Sequence, residues 1–182
     1  MTAGQMLAMG VAAMLLFWIV GAYNRLVALR NAIGAAWAQV EEQLQRRRHA
    51  LEPMVQALRP LLPDAAAALD AVEGALLQVQ AASDAVKARP VRSSPATVLV
   101  TAEQVLVTAL ARLVALLEHH PELRDGMPEV AGTLQSLHEL EPRLVFARQL
   151  FNDAAARYDE AVRQFPTRLL TGLFGFGIAG RL

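Results

Sequence analysis

Residues 26–58 read LVALRNAIGAAWAQVEEQLQRRRHALEPMVQAL. Within them apolar side chains recur at Leu26, Leu29, Ile33, Trp37, Val40, Leu44, Leu51, Val55 and Leu58, at steps of three and four residues or whole heptads. That is the period of one face of an α-helix, and a strand, whose side chains alternate, cannot gather such a set on one side. The stretch is therefore an amphipathic helix whose stripe must be buried against other elements. Pro53 sits inside the pattern, has no N–H and crowds the carbonyl four residues earlier, so a bend is expected there, and Pro60 and Pro63 end the helix.

Upstream the chain changes character. Nothing before Arg25 is charged, and Leu7–Ala22 (LAMGVAAMLLFWIVGA) is long enough to cross most of a ~30 Å hydrocarbon core. No Gly-Pro break separates it from the amphipathic pattern, so anchor and first bundle helix read as one rod. Two other readings stay open. A buried core helix normally keeps a scattered polar face, which this stretch lacks. A cleaved signal peptide could use Val20 and Ala22 as its small-residue site, but has no basic region ahead of it. Arg25 and Arg30 follow the apolar segment and no Lys or Arg precedes it, which by the positive-inside rule puts the bulk of the chain in the cytoplasm and the short N-terminus outside.

Downstream, three more helical patterns follow. The second spans about 65–88, with Asp64 as the expected N-cap and Leu69, Val72, Leu76, Val79 and Val86 on one face. Pro90, Ser93, Ser94 and Pro95 separate it from a third, about 96–119, whose expected inner face is Val98, Ala102, Val105, Ala109, Leu113 and Leu116. Pro121 and Asp125-Gly126 then mark a break, and Pro128 opens a fourth pattern that runs to about Gln164 through Val130, Leu144, Phe151, Tyr158 and Val162, with a kink expected at Pro142. Four long amphipathic segments joined by short breaks predict an all-α fold, an antiparallel up-down four-helix bundle whose first helix is continuous with a transmembrane segment. The expected organisation is an anchor at 1–24, a bundle at 25–166 and an apolar, glycine-rich tail at 167–182. With an even number of helices the tail returns toward the membrane, where it meets lipid, the bundle or a partner.

Composition narrows the function. Apolar residues are 54% of the chain but aromatics only 5%, so the apolar content is mainly helix-favouring Ala and Leu with Val. Seventeen Lys and Arg balance seventeen Asp and Glu, which gives no ground for a nucleic-acid partner. Arg46, Arg47 and Arg48 form the one basic run and read as a solvated face beside Glu41 and Glu42. His49, His119, His120 and His138 have no HExxH or ExxH partners, no serine lies in a GxSxG elbow, and there is no cysteine. No catalytic, cofactor-binding or metal-binding residue is expected. His119 and His120 close a helix, where the dipole favours a cation. Trp37 and Tyr158 fall on apolar stripes and read as core, while Asn24, Asn31 and Asn152 lie beside the seams, where a polar side chain can set register or bond between helices.

Tyr23-Asn24-Arg25-Leu26-Val27, Leu29-Arg30-Asn31, Ala36-Trp37-Ala38-Gln39-Val40, Gln43-Leu44 and Arg46-Arg47 resemble the N-terminal signature of the LemA family. Pro121-Glu122-Leu123, Ala147-Arg148, Phe151-Asn152, Phe165-Pro166 and Phe174-Gly175-Phe176 extend that resemblance over nearly the whole chain. There are departures: Leu51-Glu52-Pro53 stands where the family reads Ile-Pro-Asn, and the tail lacks the usual aromatic ending. The resemblance implies a single-pass bacterial inner-membrane protein with an inner helical bundle, and relatives that include magnetosome-associated proteins and keep company with membrane metallopeptidases. It points to Tyr23, Asn24, Arg25, Asn31, Trp37, Gln39, Asn152, Phe165, Pro166, Phe174, Gly175 and Phe176 as the motif residues for assembly. The function expected is a non-enzymatic scaffold or adaptor, with membrane lipid, other proteins and further copies of the chain as partners. The rivals are a lipid-interface module that uses the tail and a metal-dependent enzyme.

Overall fold

The computed structural model describes residues 3–164 and 177–182. Among them the fold is all-α: helices α1 (Ala3–Leu58), α2 (Ala66–Ala88), α3 (Ser93–Leu117), the single turn α4 (Pro121–Arg124) and α5 (Pro128–Arg163), with a 3-10 turn at Pro63–Ala65. The part of α1 after Arg25 joins α2, α3 and α5 in an antiparallel up-down four-helix bundle. Its most extensive contacts are between α1 and α5 and between α2 and α3. At about 1.5 Å per residue α1 is about 84 Å long, and only its later part is wrapped by other helices.

The helix boundaries follow from local chemistry. Pro121 and Pro128 occupy first-turn positions of α4 and α5, where the missing N–H costs nothing. Gly126 makes the turn between them possible, because a Cβ there would run into the Glu122 carbonyl. Asp64 is not the N-cap of α2: Pro63 starts a 3-10 turn that includes Asp64, and Ala65 precedes α2 without a side-chain cap. The turn at Pro121–Arg124, which the sequence pattern reads only as a break, is helical.

Neither internal proline interrupts its helix; α1 runs through Pro53 and α5 through Pro142. The residues four positions earlier, His49 and His138, are both exposed, so the carbonyl deprived of its donor is open to water. Beside the first proline, the Thr133 hydroxyl on α5 lies 3.1 Å from the Ala50 carbonyl and 2.7 Å from the Glu129 carbonyl, and so reaches across to α1 at the weakened turn.

The core is one cluster drawn from all four long helices, and every stripe residue expected on α2 is buried in it. On α3 the expected face is rotated. Leu99, Ala102, Leu106, Ala109, Leu113 and Leu117 point inward, whereas Val98, Val105 and Leu116 are exposed. The helix is apolar around most of its circumference, so periodicity left the choice open. The more flexible leucines fill the centre and the β-branched valines face out.

Candidate functional site

The feature that stands apart from this bundle is the first part of α1. From Ala3 to Arg25 no residue is buried, and the most apolar eighteen-residue window has a mean hydropathy of 2.1 with none of it covered. Met6, Leu7, Met14, Leu16 and Phe17 are each more than half exposed. Leu26, by contrast, is fully buried, and with it the bundle begins. At 1.5 Å per residue the uncovered rod is about 34 Å long, against a hydrocarbon core of ~30 Å. Arg25 marks the junction, its Nη1 3.5 Å from Oε1 of Gln164 just beyond α5, so the rod leaves the bundle at the end where α5 finishes.

The motif residues separate into groups. Tyr23, Asn24, Arg25 and Asn31 are exposed at or near the rod's base. Trp37 is buried, and its ring meets Phe151 edge-on, with centroids 6.1 Å apart at 73°, which locks α1 to α5. Gln39 is exposed and lines an open cleft with Gln43, Pro142 and Phe146. Asn152 is half-buried and holds the backbone of Leu182. Phe165, Pro166, Phe174, Gly175 and Phe176 lie outside the described residues. The buried Nε1 of Trp37 and Oε1 of Gln43 have no hydrogen-bond partner among the described residues.

Charge is used inside the bundle as well as on its surface. The run Arg46–Arg48 is not one solvated face. Arg46 pairs with Glu42 at 2.6 Å and Arg48 with Glu52 at 2.5 Å, but Arg47 lies between Leu44 and Leu51 on the buried stripe, 9% exposed. Burial pushes its guanidinium down from the ordinary value; Glu141 and Glu103 oppose the shift and Arg148 adds to it. Glu103 of α3, 5% exposed, is paired with Arg148 of α5. Three helices thus meet around two arginines and two carboxylates. Glu41 likewise reaches α2, where its bond to Lys87 at 2.8 Å raises the lysine's pKa. Burial also raises the Tyr158 phenol, with Arg30 acting against the shift and Asp159 with it.

Sequence reasoning read Arg47 as part of a solvated face and gave no role to Glu103 or Asp159. The available signal was a charged residue on an apolar stripe: Leu99-x-x-x-Glu103-x-x-Leu106, Leu44-x-x-Arg47-x-x-x-Leu51, and Asp159 beside Tyr158 and Val162. His119 and His120 lie at helix ends: Nδ1 of His119 lies 2.9 Å from the Ala115 carbonyl and Nδ1 of His120 3.1 Å from Glu122. Glu122 has its pKa lowered by its own backbone N–H and then by His120. Among the described residues, no three His, Asp or Glu side chains converge to hold a metal ion.

The model of the LemA family matches residues 36–180, most of the chain. This protein belongs to the LemA family. The match opens at Ala36, after the apolar rod, and so leaves Tyr23, Asn24, Arg25 and Asn31 outside it while taking in the whole bundle from Trp37 onward. No curated protein sequence matches the chain significantly. The apolar helix ahead of the match has the length and composition of a membrane anchor.

Proposed function

We propose that this LemA-family chain is a membrane-tethered scaffold: residues 1–24 anchor it in the bacterial inner membrane, residues 25–166 form a cytoplasmic bundle, and the bundle presents helical faces to other membrane proteins without performing catalysis. The observation that carries this reading is the uncovered apolar rod ahead of Leu26, attached to a bundle whose core is complete without it. In water, about twenty exposed apolar residues in a row are strongly unfavourable, and transfer into lipid removes that cost without changing any bundle contact. Arg25 and Arg30 support the cytoplasmic side for the bundle. Exposed Val145 and Phe146 on α5 and Val98 and Val105 on α3 provide apolar contact surface for a protein partner, a membrane metallopeptidase being among those the resemblance implies. A second bundle of the same chain could use the same surfaces.

The test is removal of Met1–Ala22. The shortened protein is expected in the soluble fraction with its helical circular dichroism and cooperative melting retained, while the full chain resists carbonate extraction. A full chain found in the soluble fraction, or mature protein from cells that begins at Tyr23, would overturn the anchor. In-cell crosslinking of the anchored form should return membrane proteins; recovery of lipid adducts alone would favour the lipid-interface reading.

A further inference from the structure

At the end of the bundle from which the rod departs, residues 177–182, which form neither helix nor strand, lie along α5 and against the start of α3. Oδ1 of Asp159 accepts the Ala179 N–H at 2.7 Å and Oδ2 accepts Nη2 of Arg181 at 2.9 Å. One helical heptad earlier, Asn152 closes a two-bond ring with Leu182: Nδ2 donates to its main-chain oxygen at 2.7 Å and Oδ1 accepts its N–H at 2.8 Å. Arg181 Nη1 also reaches the Asn152 carbonyl at 3.3 Å. Between these two grips Gly180 lies against α3; a Cβ there would stand 2.7 Å from the Ala96 Cβ, 2.9 Å from the Ser93 Cα and 3.0 Å from the Arg92 carbonyl oxygen.

We propose that the groove between the start of α3 and the last third of α5 is a peptide-binding slot, selective for an extended segment in which glycine precedes arginine, and that Ala179–Leu182 is its intramolecular ligand. The spacing of the grips supports this. Seven helical residues from Asn152 to Asp159 rise about 10.5 Å, and the three steps from Ala179 to Leu182 span up to about 10 Å. A carboxamide that donates to and accepts from one residue reads backbone and no particular side chain, as the edge of a sheet does. Selectivity then comes from the neighbouring positions. Only glycine fits against Ala96 and Ser93, and Asp159, 7% exposed, adds a charge-assisted bond to the arginine. Ile178 is exposed and unread. The slot borrows one wall from each helix pair, α5 from α1–α5 and α3 from α2–α3, so its occupant also straps the pairs together. Nothing in this inference depends on the membrane reading, and its test stands whichever way that one falls.

The test uses the full chain in detergent micelles and a fluorescent peptide GIAGRL, the sequence of residues 177–182. Gly180→Val in the protein is expected to eject its own segment, seen as at least tenfold faster hydrogen exchange at the Ala179 and Leu182 amides, and to open the slot. The peptide should then bind Gly180→Val at least tenfold more tightly than the unaltered chain. Adding Asp159→Asn should weaken that binding tenfold or more, and peptides carrying G180V or R181E should not bind. If Gly180→Val loses its helical signal, Arg181→Glu, which sets like charge against Asp159 from an exposed side chain, serves as the ejecting variant for the same series. Equal binding to open and unaltered protein, no binding to a protein whose segment has been released, or unchanged amide protection in the ejecting variant overturns the proposal.

Discussion

Among the described residues, α1 and α3 are the two helices apolar and long enough to cross a membrane, with mean hydropathies of 2.1 and 1.7 over their most apolar eighteen-residue windows, yet those windows lie in opposite surroundings. None of the α1 window is covered by the rest of the molecule, whereas 39% of the α3 window is buried in it. The two helices also differ in what interrupts them. Through Asn24, α1 has no charge, while α3 carries Glu103 on its inner face, matched by Arg148 on the facing helix. Hydropathy alone does not separate a span from a core helix. A buried charge with a partner on another element shows that the helix packs on protein at that point, because lipid cannot supply such a neighbour.

Truncation breaks or sharpens this contrast most. Leu113→Ala, at a fully buried position of α3, is expected to lower bundle stability by about 2–5 kcal/mol, measured by denaturant unfolding in micelles. Leu16→Ala, on the exposed part of α1, should change it by less than about 0.5 kcal/mol. Similar losses at both sites would mean that the rod is packed on something. Next comes the charge that marks α3 as a bundle helix. Arg148→Ala strands Glu103 and should cost about 2–3 kcal/mol; the double change Arg148→Met with Glu103→Leu is expected to recover most of it, and failure to recover would point to another role for the pair.

A smaller effect belongs to the hydroxyl that ties α5 to α1 beside Pro53. Thr133→Val should cost about 0.5–1.5 kcal/mol and speed hydrogen exchange locally around residues 50–54; an unchanged exchange rate there would count against the tie. The smallest is alkaline. Because burial raises the Tyr158 pKa in the folded state, its contribution is fully present below the unfolded tyrosine value of ~10 and is lost as pH rises through the higher folded value. Absorbance at 295 nm should show a late phenol titration, and Tyr158→Phe should abolish that late phase.

Much of the architecture was legible in residue spacing. The stripes of α1 and α2 are the ones buried, since each helix has one apolar side and no alternative. On α3 the same reasoning chose Val98, Val105 and Leu116, which are exposed, because both sides of that helix are apolar and nothing local distinguishes them. Arg47, Glu103 and Asp159 were hidden for a related reason: a charge on a stripe reads as an interruption until the partner on another helix is known. Asn152 was legible as a polar residue near a seam, but its partner, the backbone of Leu182, lies thirty residues away and follows no periodic rule.

The sequence by itself determined that the chain is helical, where its long helices break, and that an uncharged leader precedes them, because these depend on period, proline placement and the absence of charge, all local properties. Only the tertiary structure decided which side of α3 faces inward, which charges are buried together, and that the last residues lie across α3 and α5. Those outcomes depend on distances between residues far apart in the chain, which packing sets and local pattern does not encode.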